Sequence, residues 1–573
     1  MFSVPTPLSQ LRCRGLLLPL LTMAFFCLAG GSVQAQWQSE SYSLKPGWNA
    51  IWLPLDVSHA AMEDLVPASV EEVWRWNANV AGTFSTNPDV SDVQWSVWRR
   101  GDPAGTTFGS MDPNYAYLIR VTTGTSPFFW SVKGKPVTPR YDWTSTGVNL
   151  VGFPMETPGS STLRNLSRFF NYDPVLKQGP STLFYNGGEL SSVAPRNPLV
   201  IGNPNSYPVL RYQAYWVEAM SFTEYYGPLK IETSAAQGLR FGAETVSLSV
   251  RIKNVAVNST GTQAVNVTLT PQASETPPAG QTAAAGGVPL RLRGDLDLNT
   301  GLYAYENVTG PLVRTLAPGE EREFIFTVDR SSLSNVEGTK YESLLSITDS
   351  LSLTRIVLPV TAESSSRSGL WVGAAVLNQV DFVEGNAATS KGAPATFPLR
   401  LILHSATGGT VRLLQQAYTG LQAGEDVVSD KETGFTAPAK AAARLSSAHF
   451  PLKLNQSGTG VLGLSGSVTF SVPLDYRASD NPFVHSYHPD HDNLDERFQS
   501  QLPAGRESNN ITRSITLTFE GSNPSGFDPT WGSTSLGGTY TETITGLRAV
   551  PLTSSGRFQI QRASRAATFV TLP

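Results

Sequence analysis

Apolar and polar residues alternate along most of this chain, in short runs that predict strands with one buried and one solvated face. Val246-Ser-Leu-Ser-Val-Arg-Ile252, Val265-Asn-Val-Thr-Leu269, Glu323-Phe-Ile-Phe-Thr-Val328 and Ile356-Val-Leu-Pro-Val360 follow one another with turn signals such as Leu316-Ala-Pro-Gly-Glu320 between them. Short strands so spaced predict a β-sandwich over residues 239–363. Residues 369–573 continue the pattern, from Gly369-Leu-Trp-Val through Phe397-Pro-Leu-Arg-Leu-Ile-Leu-His404 to a closing hairpin of Gly537–Thr545 and Gly556–Gln561. They predict a β-rich C-terminal domain. Between the two, Ser364-Ser-Ser-Arg-Ser368 reads as a linker.

Upstream, the pattern occurs twice. Gly47-Trp-Asn-Ala-Ile-Trp-Leu-Pro54 aligns with Gly147-Val-Asn-Leu-Val-Gly-Phe-Pro154, Ala116-Tyr117 with Ala214-Tyr215, and Phe128-Phe129 with Tyr225-Tyr226, in the same order. Blocks matched in order at a nearly constant offset predict a tandem repeat, 41–140 and 141–233. In each copy a short helical pattern (60–66; 161–170) precedes an aromatic strand, Val73–Asn77 in the first and Arg168–Tyr172 in the second. The whole chain therefore reads as mostly β and multidomain: two small β modules, a sandwich and a C-terminal β-rich domain.

Composition adds a location. Arg12 and Arg14 precede an apolar run, Gly15 to Gly30, followed by Ser32-Val33-Gln34-Ala35. This is the layout of a secretory signal peptide, residues 1–35, cut after Ala35. The run is too short for a spanning helix and contains Pro19, and no later stretch is long enough, so no transmembrane helix is expected in the mature chain. Cys13 and Cys27, the only two cysteines, lie in the signal segment, leaving a mature protein without disulfides. Losing two arginines and no acid from 42 basic and 46 acidic side chains gives a mature net charge of −6, which offers nucleic acid no electrostatic support. The expected location is exported: extracellular, cell surface or periplasm.

The Gly-Trp-Asn and Leu-Pro strand openings, with Tyr-Trp-Val (Tyr215–Val217) as a closing strand, resemble modules of exported bacterial surface proteins. The alternating segment 239–363 resembles bacterial immunoglobulin-like domains, and the Trp-Val-Gly start of the C-terminal region is similar to large exported proteins of the Verrucomicrobia type. The resemblance implies location and architecture and brings no catalytic residue with it.

Three segments could carry chemistry. His485, His488, Asp490, His491, Asp492 and Asp495 gather half of the six histidines with three aspartates, a donor set for zinc through imidazoles or calcium through carboxylates. A polar turn is the competing reading. Asp295, Asp297, Asn299 and Glu306 have the spacing of a calcium loop, but Thr300 stands where glycine is needed, and a hairpin turn explains them better. Ten of the twelve tryptophans lie between Trp37 and Trp216 and could stack on sugars, although large aromatics are more often core.

Gly458-Thr-Gly-Val-Leu-Gly463 lacks the strand–helix context of a dinucleotide loop, and hydrolase and phosphate-loop signatures are absent. The expectation is an exported, non-catalytic surface or secreted structural or adhesive protein, with surface polysaccharide or other surface proteins as partners. The alternatives are a glycan-binding protein acting through the tryptophan-rich repeats, and a metal-dependent hydrolase centred on the His485–Asp495 loop.

Overall fold

The computed structural model describes residues 36–77, 87–89, 94–141, 148–156, 165–179, 181–219, 221–234, 238–258, 261–384, 387–418, 421–422, 425–427, 456–475, 484–486, 506–508, 510–546 and 551–568. The chain is mostly β, as its alternation predicts.

The first module contains β1 (Gln38–Leu44), β2 (Gly47–Leu53), β3 (Leu55–Asp56), the one-turn helix α1 (Met62–Leu65), β4 (Val70–Trp76), β5 (Trp95–Arg99), β6 (Tyr115–Val121) and β7 (Phe128–Pro136). They form a four-stranded sheet, β2-β6-β4-β5, and a three-stranded one, β1-β7-β3. The second module contains β8 (Val148–Gly152), helix α2 (Leu166–Phe170), β9 (Thr182–Phe184), β10 (Leu199–Val200) and β11 (Ala214–Glu218), and its sheet runs β8-β11-β9-β10. Taken in chain order, corresponding strands occupy corresponding places in the two four-stranded sheets. Residues 168–172, expected as the aromatic strand, instead enter helix α2 and the turn after it; Leu166, Phe169 and Phe170 are buried at helical spacing, and the Asn165 side chain caps the first turn by accepting the Arg168 N–H at 2.8 Å.

The modules interlock. Gly47 adopts φ +83°, and a Cβ there would meet the Gly188 carbonyl oxygen at 2.3 Å, so glycine is required both by conformation and by the close approach of the second module. Trp48 N–H donates to the Gly188 carbonyl and Trp52 N–H to that of Tyr212, at 2.9 and 2.8 Å.

β12 (Leu229–Thr233) leaves the second module and pairs with β14 (Ser247–Asn254) of the sandwich, so the boundary expected between 233 and 239 runs through a shared sheet. The sandwich sheets are β12-β14-β21-β18-β19 and β13-β23-β22-β17-β20. They are built from β13 (Leu239–Arg240), β17 (Val265–Gln272), β18 (Leu290–Asp297), β19 (Leu302–Asn307), β20 (Leu312–Leu316), β21 (Glu321–Val328), β22 (Lys340–Asp349) and β23 (Arg355–Glu363); β15 (Val257–Asn258) and β16 (Gly261–Thr262) make a separate small ladder. Val250, Ile252, Phe324 and Phe326 of one sheet and Val267, Leu269, Ile347 and Leu358 of the other share one buried cluster, which extends without a break into both modules. Modules and sandwich thus have a single core.

The C-terminal region is a nine-stranded antiparallel sheet, β29-β26-β25-β24-β36-β35-β34-β31-β30. Its strands are β24 (Gly369–Glu384), β25 (Ala387–Ser405), β26 (Val411–Tyr418), β29 (Gln456–Ser457), β30 (Thr459–Gly460), β31 (Ser467–Leu474), β34 (Ile511–Phe519), β35 (Ser535–Thr545) and β36 (Leu552–Ser564). β27 (Leu421–Gln422) with β28 (Glu425–Val427), and β32 (Val484–Ser486) with β33 (Arg506–Ser508), form two-stranded ladders apart from it. β29 and β30 are one residue apart and hold opposite edges, β26 and β31, so the sheet nearly closes into an up-and-down barrel. Its core contains Trp371, Leu401, Leu413, Phe470, Leu517, Tyr540 and Ile560, separate from the first core. In β31, buried Val468, Phe470, Val472 and Leu474 alternate with exposed Ser467, Thr469, Ser471 and Pro473. Within it Arg513 and Glu542 form a buried ion pair, with the Tyr540 hydroxyl donating to Glu542 at 2.7 Å.

Ser364 and Ser365, expected in a linker, are buried between sandwich and barrel. Ser365 Oγ donates to the Ala243 carbonyl, and Arg562, on the last barrel strand, reaches both Ser366 O and Glu244. A second contact seats Phe527 edge-on to Tyr305 at 4.8 Å and under the Arg291 guanidinium at 4.1 Å.

Candidate functional site

Among the metal candidates, only the backbone of His485 is described: it lies in β32, opposite Glu507. His488, Asp490, His491, Asp492 and Asp495 lie outside the described residues. Among the described residues no cluster of three or more His, Cys, Asp or Glu side chains converges as a metal site. Asp297 and Asn299 form the hairpin turn expected of them, with Asp297 accepting the Asn299 N–H at 2.8 Å and the Thr300 hydroxyl at 3.0 Å.

The tryptophans correct the stacking alternative. Trp48, Trp74, Trp76, Trp95 and Trp98 are all buried. Trp76 packs edge-on against Trp95 and against Trp216 of the second module, each at 5.0 Å between ring centroids. Guanidinium groups lie over three of the rings: Arg120 on Trp48, Arg99 on Trp74 and Arg100 on Trp98, at 5.8, 5.7 and 5.1 Å. Stacking on a sugar needs an open ring face, and these rings are packed in the core instead, Trp76 and Trp95 against Trp216 of the second module.

Buried and half-buried charges also gather where the units meet. Glu40 on β1 accepts from Arg211 of the second module at 2.8 Å, with side chains 9% and 8% exposed. Burial raises the Glu40 carboxyl above its ordinary value, opposed by Arg211 and by Arg355 of the sandwich. Burial likewise lowers Arg211 to about 10. Desolvation outweighs attraction on both partners, the usual condition of a pair removed from water.

A second concentration lines an open cleft of about 560 Å³. Module one contributes Gln36 and Lys135, the sandwich Arg240, Glu244, Lys340 and Glu342, and the barrel end Arg565. Glu244 binds the guanidinium groups of both Arg562 and Arg565. Behind it, buried Arg330 donates, among the described residues, to the backbone carbonyls of Phe241, Gly242, Thr245 and Glu363, and burial lowers it to about 10. The chain enters this cleft at its described start: Gln36 N–H donates to Glu342 Oε2 at 3.1 Å, and Trp37 bridges to Glu275, whose N–H donates to the Trp37 carbonyl at 2.8 Å.

A third hollow, of about 400 Å³, opens beside the second module between Tyr172, Tyr225, Leu229 and Val255. The Tyr225 hydroxyl donates to the Phe169 carbonyl at 2.7 Å and Asp173 accepts the Thr223 hydroxyl at 2.7 Å, so these two groups serve the fold.

Sequence reasoning missed the junction residues. Their charges come from segments hundreds of positions apart and match no motif; the only local signal is an isolated acid such as Glu40 or Glu342 inside a strand pattern. No protein-family model and no curated protein matches the chain. No helix among the described residues is long and apolar enough to cross a membrane.

Proposed function

We propose that the protein is an exported, non-catalytic surface or secreted component with a structural or adhesive role, its two modules being copies of one unit. The observation that carries this reading is the construction of the junctions. One continuous core joins two modules to a sandwich, and a barrel is fixed to the sandwich by Arg562, Ser365 and Phe527. A chain that holds its parts at fixed orientation without disulfides is built to span and to bear load. The signal-type sequence before Gln36 supports export, and the matching strand orders of the modules support duplication. Charged side chains cross the junctions: Glu40 pairs with Arg211 of the second module, and Glu244 of the sandwich with Arg562 of the barrel. Surface polysaccharide or another surface protein is the partner class this role requires.

The test is deletion and complementation in the source cells. Loss of surface attachment or of envelope integrity, restored by the full chain, supports the role. Unchanged attachment and integrity, with loss of a hydrolytic activity instead, overturns it.

A further inference from the structure

We propose that cleavage after Ala35 creates a structural ion pair: the new α-ammonium of Gln36 binds the Glu342 carboxylate and locks the first module to the sandwich. The proposal rests on the export reading. Hydrolysis of the Ala35–Gln36 bond adds one water, leaving a carboxylate on the released segment and an amine, protonated at neutral pH, on Gln36.

Four features converge on this position. Glu342 lies on β22 and, among the described residues, has no cation within ion-pair distance; its carboxylate accepts only the Gln36 N–H, at 3.1 Å. A peptide N–H brings no charge to that carboxylate, whereas an ammonium forms an ion pair with it and strengthens the same hydrogen bond. Gln36 is itself only 5% exposed, so the first mature residue belongs to the packed junction. Trp37 holds it there: its N–H donates to Ser274 Oγ, its carbonyl accepts from Glu275, and the Ser39 N–H donates to Glu275 Oε1 at 2.8 Å. The strand that carries the terminus is therefore already ordered, and little conformational entropy opposes the pair. The cleft beside Gln36 gives an ammonium room for its remaining N–H groups.

The experiment compares the mature chain with a Glu342→Gln variant and with a chain extended by Gly-Ser before Gln36. N-terminal sequencing of the exported protein should begin at Gln36, uncyclised. Acylation of its α-amine at neutral pH should be about tenfold slower in the mature chain than in Glu342→Gln, the ratio given by one pKa unit. The extended chain should label equally fast with and without the Glu342→Gln substitution. An exported chain cut after Ala35 with an amine that labels at the same rate in both forms, or with Gln36 cyclised and lighter by one ammonia, overturns this proposal alone. An uncut chain inside the cell overturns the export reading with it.

Discussion

Removing the Glu40 charge tests the junction between modules most severely. Glu40→Gln keeps the shape of the side chain and its hydrogen-bonding reach but leaves the Arg211 guanidinium, 8% exposed, without its counter-ion. The nearby Arg355 adds a second positive charge that Glu40 attracts. Breaking a buried pair on one side costs about 3–5 kcal/mol, and the second arginine puts this case at the upper end. Replacing both partners with methionine removes the desolvation cost together with the attraction, and comparable replacements are neutral or stabilising by about 1–4 kcal/mol. Urea unfolding followed by tryptophan fluorescence measures both, since Trp52, Trp76, Trp95 and Trp216 lie in the same core as the pair. The single variant should lose several kcal/mol and the Glu40→Met, Arg211→Met double variant should recover most of it. A Glu40→Gln loss below about 1 kcal/mol, or a double variant as unstable as the two singles added, refutes the reasoning.

Other outcomes follow from named contacts. A Cβ at Gly152 would meet Trp52 Cβ at 2.2 Å, so Gly152→Ala should cost about 1–3 kcal/mol by overpacking the module interface, read as a lower urea midpoint. Burial raises Asp349 to about 6 from 3.8. The folded chain then holds that proton more tightly than the unfolded one, and this group makes the protein gain up to about 3 kcal/mol as pH falls from 6 toward 4. Asp349→Asn should remove that slope from the stability–pH curve; an unchanged slope assigns it to other groups. Arg562→Ala with Phe527→Ala should free the barrel from the sandwich, seen as rapid proteolysis near residues 363–369 with both fragments still folded; resistance equal to the parent would show that these contacts do not hold the joint.

The strands were legible because a half-buried strand writes its two faces into the sequence, as in β14 and β17. The segment 168–172 was misread because Phe169, Phe170 and Tyr172 have strand-like residue types, while the buried spacing Leu166–Phe169–Phe170 is helical and Asn165 starts the turn. Ser364–Ser368 has a linker's composition, yet serines are small enough to be buried wherever carbonyls such as that of Ala243 accept their hydroxyls. The tryptophan clusters could have been core or platform, and their burial and edge-on packing, which the sequence does not write, decide between the two. The junction cleft is illegible because Gln36, Arg240, Lys340 and Arg565 come from segments far apart in the chain, brought together by strand pairing and by contacts such as those of Glu244 with Arg562 and Arg565.

Protease treatment of intact source cells, followed by mass spectrometry of the released and retained chain, tests the central claim most directly. The account predicts a chain beginning at Gln36, outside the cytoplasm and released or trimmed at the surface. A full-length chain beginning at Met1, untouched by protease until the cells are lysed, would contradict it.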